Sequence, residues 1–422
     1  MSEPAPGIDC DVAIVGGGMV GASLALALTG LPLEVVCIEA VAPDAGHQPS
    51  FDARTTALSN GSRRILATLG AWPQIRAGAT AIRRIHVSER GAFGSAVLDA
   101  AEQGLEALGY VAENRVIGEA LRGALVRAPR VRTLAPATVT AADPGPDAIA
   151  LTISTVRGPA TLRARLVVAA DGADSLVRRE AGVDATQRSY GQSAVIATLM
   201  PGRFHEHVAY ERFTGDGPIA LLPIAGGRMG LVWTLAPDAA ARVLALPPGA
   251  FLAELQAAFG WRVGRLGGLG ARHAYPLALT RAESQRAPRV AIIGNASQGL
   301  HPIAGQGFNL GLRDAATLAE AIAEAVAAAP TGVDAGADPV LARYVESRRT
   351  DRRALIAFTD GLVRLFGVPL PPLAAARGLG LLAFDLSAPA KDAMSRLSLG
   401  FAERMPRLER GLPLDAAGAA PP

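Results

Sequence analysis

The chain's 422 residues, against a typical domain of roughly 100 to 200, predict two or three domains or one large interrupted one. Half of the residues are hydrophobic and 19% are charged, which excludes a disordered or wholly solvated chain. Lys+Arg 41 against Asp+Glu 38 leaves +3, and the two signs interleave without a polybasic run, so nucleic acid is not the expected partner.

Cys10 and Cys37 have neither CxxC nor Cys/His spacing, which argues against a disulfide framework and a structural zinc; no metal is expected. The start, MSEPAPGIDCD, carries acids where a secretory signal would carry basic residues, so a cytoplasmic location is expected. Val12 to Leu33 runs 22 residues without a charge, the length of a membrane span. Its central glycines and Pro32 suit a strand, a turn and a buried helix better.

Asp11 to Val15 reads as a strand leading straight into Gly16-Gly17-Gly18-Met19-Val20-Gly21 and a helical pattern to Leu28. This is GxGxxG in the setting it requires. Gly16 permits the tight turn, Gly18 lets backbone approach a pyrophosphate, and Gly21 allows close packing of helix on strand. The helix N-terminus then faces the phosphates. A second apolar run ends in Glu39, 18 residues after Gly21, where an acid suits a ribose hydroxyl. The motif points to a dinucleotide and does not separate NAD from FAD.

Asp52 to Leu58 precedes a helix with Ile65, Leu66 and Leu69 on one face, stopped at Gly70, and Arg54 is a candidate for a cofactor phosphate. A second helix opens at Ala112-Glu113-Asn114-Arg115, with Val116, Leu121, Leu125 and Val126 as its core stripe and Arg115 as a like candidate. Between Ala148 and Ala170 two β-like runs flank Arg157-Gly158-Pro159, and the second delivers Asp171-Gly172 into a turn. Pro218–Ile224 and Arg228–Leu235 read as a hairpin closed by Ala225-Gly226-Gly227, part of a β platform.

A late strand, Arg289 to Ile293, leads to Gly294-Asn295-Ala296-Ser297 and a helix whose stripe is Leu312, Ala315, Leu318, Ala319, Ile322 and Val326. A nucleotide domain split by an inserted β platform follows from this order. Leu365 to Phe384 is strongly apolar but broken by Pro369, Pro371, Pro372 and Arg377, so it is expected to pack on the body or meet a membrane surface rather than to span one.

GGGMVG at 16–21, AADGADSLVR at 169–178 and GNASQGLHPIAGQGFNLGLRD at 294–314 resemble the three FAD motifs of the class A aromatic-ring flavoprotein monooxygenases. DARTTAL, RSYGQSAVIATL, GPIALLPI, AYPLAL and HPIAGQGFNLGLRD resemble the ubiquinone-biosynthesis branch, nearest to the hydroxylases of 2-polyprenyl-6-methoxyphenols. Many relatives have Gly-Asp at Gly294-Asn295, and the asparagine form itself resembles that branch.

The resemblance implies an α/β fold: a Rossmann-like, p-hydroxybenzoate hydroxylase-like FAD domain over 1–75, 105–180 and 288–345, interrupted by a β-rich substrate domain over 76–104 and 181–287. A helical C-terminal region over 346–414 and a disordered tail over 415–422 complete it. It implies that Gly16, Gly18 and Gly21 hold the pyrophosphate, that Glu39 binds the ribose, and that Arg54 and Arg115 contact FAD. Asp171 and Gly172 would lie by the pyrophosphate and the path of the NAD(P)H donor, and Asn295 by the ribityl chain. Gly305, Gln306 and Gly307 would border the flavin, with backbone N–H groups of Phe308 and Asn309 at its pyrimidine edge, where the helix's positive end favours developing charge.

The activity implied is hydroxylation of a polyprenyl phenol with NAD(P)H and O2 through a flavin C4a-hydroperoxide. His301 and Pro302 are the candidate catalytic residues, His301 as an aid to phenol deprotonation. Peripheral contact with the inner membrane or a quinone-synthesis complex is a secondary expectation. An FAD-dependent prenyl-lipid reductase and a non-catalytic flavoprotein subunit stay open. A flavin halogenase lacks its GWxWxIP sequence here.

Overall fold

A computed structural model describes residues 9–42, 54–299, 305–329, 332–366, 371–387, 389–392, 394 and 405–414. Elements are numbered along the chain. The first sheet is built from β1 (Cys10–Val15), β2 (Val35–Ile38), β8 (Val131–Leu134), β11 (Gly158–Ala169), β17 (Arg286–Ala287) and β18 (Val290–Ile292), in the order β17-β18-β11-β1-β2-β8. The pairs from β18 through β11, β1 and β2 to β8 are parallel, while β17 closes the edge antiparallel. The first half of β11 also pairs with β10 (Ile149–Thr155), and β10 with β9 (Ala137–Pro144), as an antiparallel extension.

Alternation along β1 explains why this sheet is buried on both faces. Val12 and Ile14 enter one core with the helices α1 (Met19–Leu28), α4 (Asn114–Val126) and α8 (Gln306–Ala328). Ala13 and Val15 enter a second, with Leu151 and Ile153 of β10. The stripe expected on α8 is buried from Leu312 to Val326. The stripe on α4 is corrected. Ile117, Ala120, Leu121 and Leu125 are buried, whereas Val126 is 88% exposed, because it closes the helix one step past the inward face.

The β platform is the second large sheet, built from β5 (Arg84–Glu89), β6 (Ser95–Asp99), β12 (Ala185–Leu199), β13 (Val208–Thr214), β14 (Gly217–Pro223), β15 (Met229–Leu235), β16 (His273–Ala282) and β19 (Gln298–Gly299). Its order is β19-β16-β12-β15-β14-β13-β5-β6, and the hairpin expected around Ala225–Gly227 joins β14 to β15. One face packs Val195, Leu221, Leu231 and Trp233 against α6 (Pro237–Ala245) and α7 (Pro248–Phe259). A small antiparallel sheet is built from β3 (Thr55–Ser59), β7 (Gly109–Glu113) and β4 (Thr80–Ile82), its strands interleaved in sequence with those of the platform; α2 (Asn60–Thr68) and α3 (Trp72–Gly78) connect β3 to β4.

Two expected boundaries and the placement of one strand change. The division at 75/76 falls inside α3, and that at 345/346 falls inside α9 (Asp338–Phe366), one unbroken helix. β4, expected in the substrate domain, pairs with β7 in the small sheet. The short α5 (Leu176–Glu180) and α10 (Pro371–Leu386) complete the helices described; the tail at 415–422 lies outside the described residues. No described helix is long and apolar enough to cross a membrane, and Val12–Leu33 forms β1, its turn and α1.

The α8–α9 contact is held by charge as well as by packing. Asp314 of α8, fully buried, accepts from Arg348 Nε at 2.8 Å, Gln298 Nε2 at 2.6 Å and Gly294 N at 3.3 Å. Arg348 also pairs with Asp351, which binds Arg313 at 3.0 Å, and Arg313 reaches buried Glu409 at 3.8 Å. Burial opposes the charge on Arg348, but Asp314 and Asp351 outweigh it and hold the guanidinium above its ordinary value. Burial pushes the Glu409 carboxyl up to about 7.

Removing one partner of such a pair strands the other charge in a low dielectric. Arg348→Met is expected to cost about 3–5 kcal/mol, read as a lower urea midpoint with an unchanged slope.

Candidate functional site

At the carboxyl end of β1 the chain turns into α1 through a backbone that admits no side chains. Gly16 has φ +105°, and a Cβ there would sit 2.4 Å from the Ala170 carbonyl oxygen. A Cβ at Gly21 would sit 1.9 Å from the Gly16 carbonyl oxygen, so α1 packs on its own turn at backbone distance. Glu39, just past β2, fastens this turn: its carboxylate accepts from Gly17 N at 2.7 Å and Val41 N at 2.9 Å.

The turn opens on a cavity of about 1340 Å³. Gly16, Gly18, Glu39, Arg54, Asp171, Gly172 and Asn295 line it, as do Gly305, Gln306, Gly307, Phe308 and Asn309. Gly21 lies under the turn rather than on the wall. Arg54 places its guanidinium 5.0 Å from the centre of the Tyr275 ring, another wall residue. Asp171 Oδ2 accepts from Leu176 N at 2.9 Å, whereas its Oδ1 is buried without a partner.

Arg115 is a correction. It pairs with Glu113 and Glu119, its side chain 56% exposed, and does not line the cavity. Its neighbour Asn114 does, its Oδ1 accepting from Thr56 Oγ1 at 2.6 Å. His301 and Pro302 lie outside the described residues.

Gly305 caps the N-terminus of α8, whose first turn forms the wall at 306–309. The Asn309 side chain is fully used: Oδ1 accepts from Ser59 N (3.0 Å) and Ser62 Oγ (2.7 Å), and Nδ2 donates to Ala57 O (2.9 Å) and Gly305 O (3.0 Å). It therefore staples β3 and α2 to the start of α8. Local sequence assigns no role to this side chain, to Asn114 or to Asp314, because their partners are remote along the chain.

The opposite wall is the second face of the β platform. Ile196, Ala220, Leu222 and Val232 alternate with the residues packed on α6 and α7 and face the cavity, joined by Glu211 and Phe213 of β13. Leu381 and Phe384 of α10 cover it. α10 is fastened to the platform edge by Arg377–Glu89 (Nε–Oε2 3.1 Å) and by Val97 N donating to Asp385 Oδ1 at 2.8 Å.

These features fit FAD. The glycine turn leads into an α1 N-terminus that no side chain caps, Asp171 offers an unpartnered oxygen, and the N-terminus of α8 lines the cavity as well. The volume exceeds the roughly 300–1,000 Å³ of an ordinary ligand pocket, leaving space for a second molecule beside a dinucleotide. Among the described residues no cluster of His, Cys, Asp and Glu is arranged to hold a metal ion.

Residues 9–359 match the family model described as FAD binding domain. The chain is 40% identical to ubiquinone hydroxylase UbiL of Rhodospirillum rubrum, over 96% of this chain and 93% of that protein. It is 34% identical to 3-demethoxyubiquinol 3-hydroxylase of Escherichia coli (92% and 98% covered), and 30% identical to the human mitochondrial ubiquinone biosynthesis monooxygenase COQ6 (90% and 91%). In fold it is similar to p-nitrophenol 4-monooxygenase PnpA of Pseudomonas putida, with a TM-score of 0.76 at 21% identity, covering 93% of this chain and 98% of that one.

Gly21→Val would force α1 off its turn. The purified variant is expected to lose most of its flavin, measured as the 450 nm to 280 nm absorbance ratio; full occupancy would refute the close-packing role.

Proposed function

The chain belongs to the FAD-binding domain family of flavoprotein hydroxylases, and from that premise we propose that it hydroxylates the aromatic ring of a prenylated phenol in ubiquinone biosynthesis, with NAD(P)H and O2 as co-substrates. The observation that carries this reading is the continuity of the cavity, from the glycine turn at Gly16 and Gly18 to the apolar wall of the β platform. Cofactor and ring would share one continuous space.

The chemistry supplied by the bound cofactor is reduction by NAD(P)H and activation of O2 for transfer of one oxygen atom to the ring. The protein's part is to bind, orient and exclude water. In our reading, the α1 N-terminus with Gly16 and Gly18 holds the pyrophosphate, Glu39 the ribose, and Arg54, Asp171, Gly172 and Asn295 the flanking groups. Backbone N–H groups from Gly305 to Asn309 would stabilise negative charge on the reduced ring system. Ile196, Ala220, Leu222, Val232 and Phe213 would seat the phenol and exclude water that would otherwise divert the oxygen to peroxide.

A prenyl tail needs an apolar route, and α10 supplies one. Leu381 and Phe384 line the cavity, while Leu379, Leu382 and Leu386, spaced three and four apart, are 56%, 39% and 79% exposed on the other side. This supports a peripheral contact of α10 with a membrane surface, at which the substrate's tail enters.

With ¹⁸O2, NADH or NADPH and a short-chain 2-prenyl-6-methoxyphenol, the product is expected to carry one labelled oxygen in the ring by mass spectrometry. Label confined to peroxide and water would overturn the hydroxylase reading.

A further inference from the structure

One transverse row of register partners crosses the cavity face of the β platform: Ala96, Val87, Glu211, Ala220, Val232 and Ile196, on β6, β5, β13, β14, β15 and β12. All six line the cavity. Five are apolar, and the sixth is a carboxylic acid. Ala209 and Phe213, two residues either way along β13, are apolar cavity residues as well. Among the described residues no hydrogen bond or ion pair reaches the Glu211 carboxylate.

Burial alone pushes this carboxyl up to about 7. Charged groups on the elements around it are engaged elsewhere. On β5, Arg84 pairs with Glu206 and Glu89 with Arg377 of α10, while His86 stands in register with Tyr210. β14 carries no charge. Asp385 of α10 pairs with Lys391. On the cavity wall itself the titratable or charged side chains besides Arg377 are Arg54 beside Tyr275, Tyr210, and Glu39, Asp171 and Asp174 on the nucleotide side.

An acid left bare on an apolar wall is expensive unless a ligand completes it. We propose that Glu211 accepts the proton of the bound substrate's phenolic hydroxyl, an inference that rests on the phenol-hydroxylase reading above. The phenolic O–H bond breaks, its electron pair stays on the substrate oxygen, and a new O–H bond forms on the Glu211 carboxylate. Negative charge then spreads to the ortho and para ring carbons and makes them stronger nucleophiles. The proton returns to the phenolate as product leaves. A base whose affinity for protons lies near the working pH suits this exchange.

The test uses flavin-loaded wild type, Glu211→Gln and Glu211→Asp. With 2-prenyl-6-methoxyphenol, wild-type kcat/KM is expected to rise with pH to a plateau above about 7. Glu211→Gln should lose this limb and fall on the order of 10²- to 10⁴-fold, and Glu211→Asp should retain the limb at an intermediate rate. A readout independent of turnover is the ionisation of bound 2-prenyl-4-nitrophenol, followed near 400 nm. It should require a higher pH in wild type than in Glu211→Gln, because the phenolate forms beside a carboxylate with which it shares one proton. Equal rates, equal pH profiles and equal probe ionisation in wild type and Glu211→Gln would overturn the proposal. A wild type that leaves the ring unhydroxylated would instead remove the phenol-hydroxylase reading, while the probe titration still reports on Glu211.

Stability gives a second check. The folded protein keeps this proton up to about pH 7, while the unfolded chain releases it near 4.5, so folding weakens as pH rises between the two. Glu211→Gln removes that loss. Its Tm should match wild type in acid and exceed it above pH 7; a constant difference at all pH values would contradict a raised carboxyl at Glu211.

Discussion

The Asp314 carboxylate fixes the geometry on which the cofactor half of the cavity depends. It stands in mid-helix, wholly buried, and takes hydrogen bonds from the Gly294 amide, the Gln298 side chain and Arg348. Those three donors belong to the turn after β18, the strand that joins the β platform, and α9. One negative charge therefore positions the Gly294–Asn295 segment against the helix whose first turn forms the wall. Its uncompensated burial would be prohibitive, and Arg348, itself between two acids, supplies the compensation. Charge here sets position more than it adds stability.

Two walls of different character then face each other. The nucleotide wall is backbone-rich: tight glycines, a helix start and a few polar side chains, most of them committed to holding the backbone in place. The platform wall is a sheet face whose alternate residues pack on α6 and α7, so its flatness and apolarity follow from the period of two in β12, β14 and β15. Glu211 breaks that apolarity at one position. With α10 fastened to β5 and β6, roof and platform wall form one attached unit.

Local signals made much of this legible. The strand–glycine–helix unit at 11–28, the Pro218–Leu235 hairpin and the α8 stripe each depend on neighbours within a few residues, and periodicity reports such neighbours directly. Most of what escaped depends on distant partners, and Arg115 is a local exception. Arg115 has the sequence setting of a cofactor contact, but Glu113 and Glu119 lie within its reach and hold it on the surface. The bounds at 75 and 345 follow from the resemblance alone, whereas α3 and α9 run across them. Asn309 stood out only as a backbone donor, since the four groups that satisfy its side chain include Ser59 and Ser62, some 250 positions away. Glu211 looks like an ordinary polar residue of an alternating strand until the register with Val87 and Ala220 shows which face it occupies.

The grip of Glu39 on the Gly17 amide has a kinetic meaning. A glutamate has three rotatable side-chain bonds, and immobilising such a side chain on binding ordinarily costs about 0.5–1.5 kcal/mol. Here folding has already frozen it, Oε2 accepting from the Gly17 amide and Oε1 from the Val41 amide, with the remaining lone pairs left over. The acid proposed above for the ribose is thus set in place by folding, and under that proposal capture of the dinucleotide is governed by access to the cleft rather than by rearrangement of Glu39.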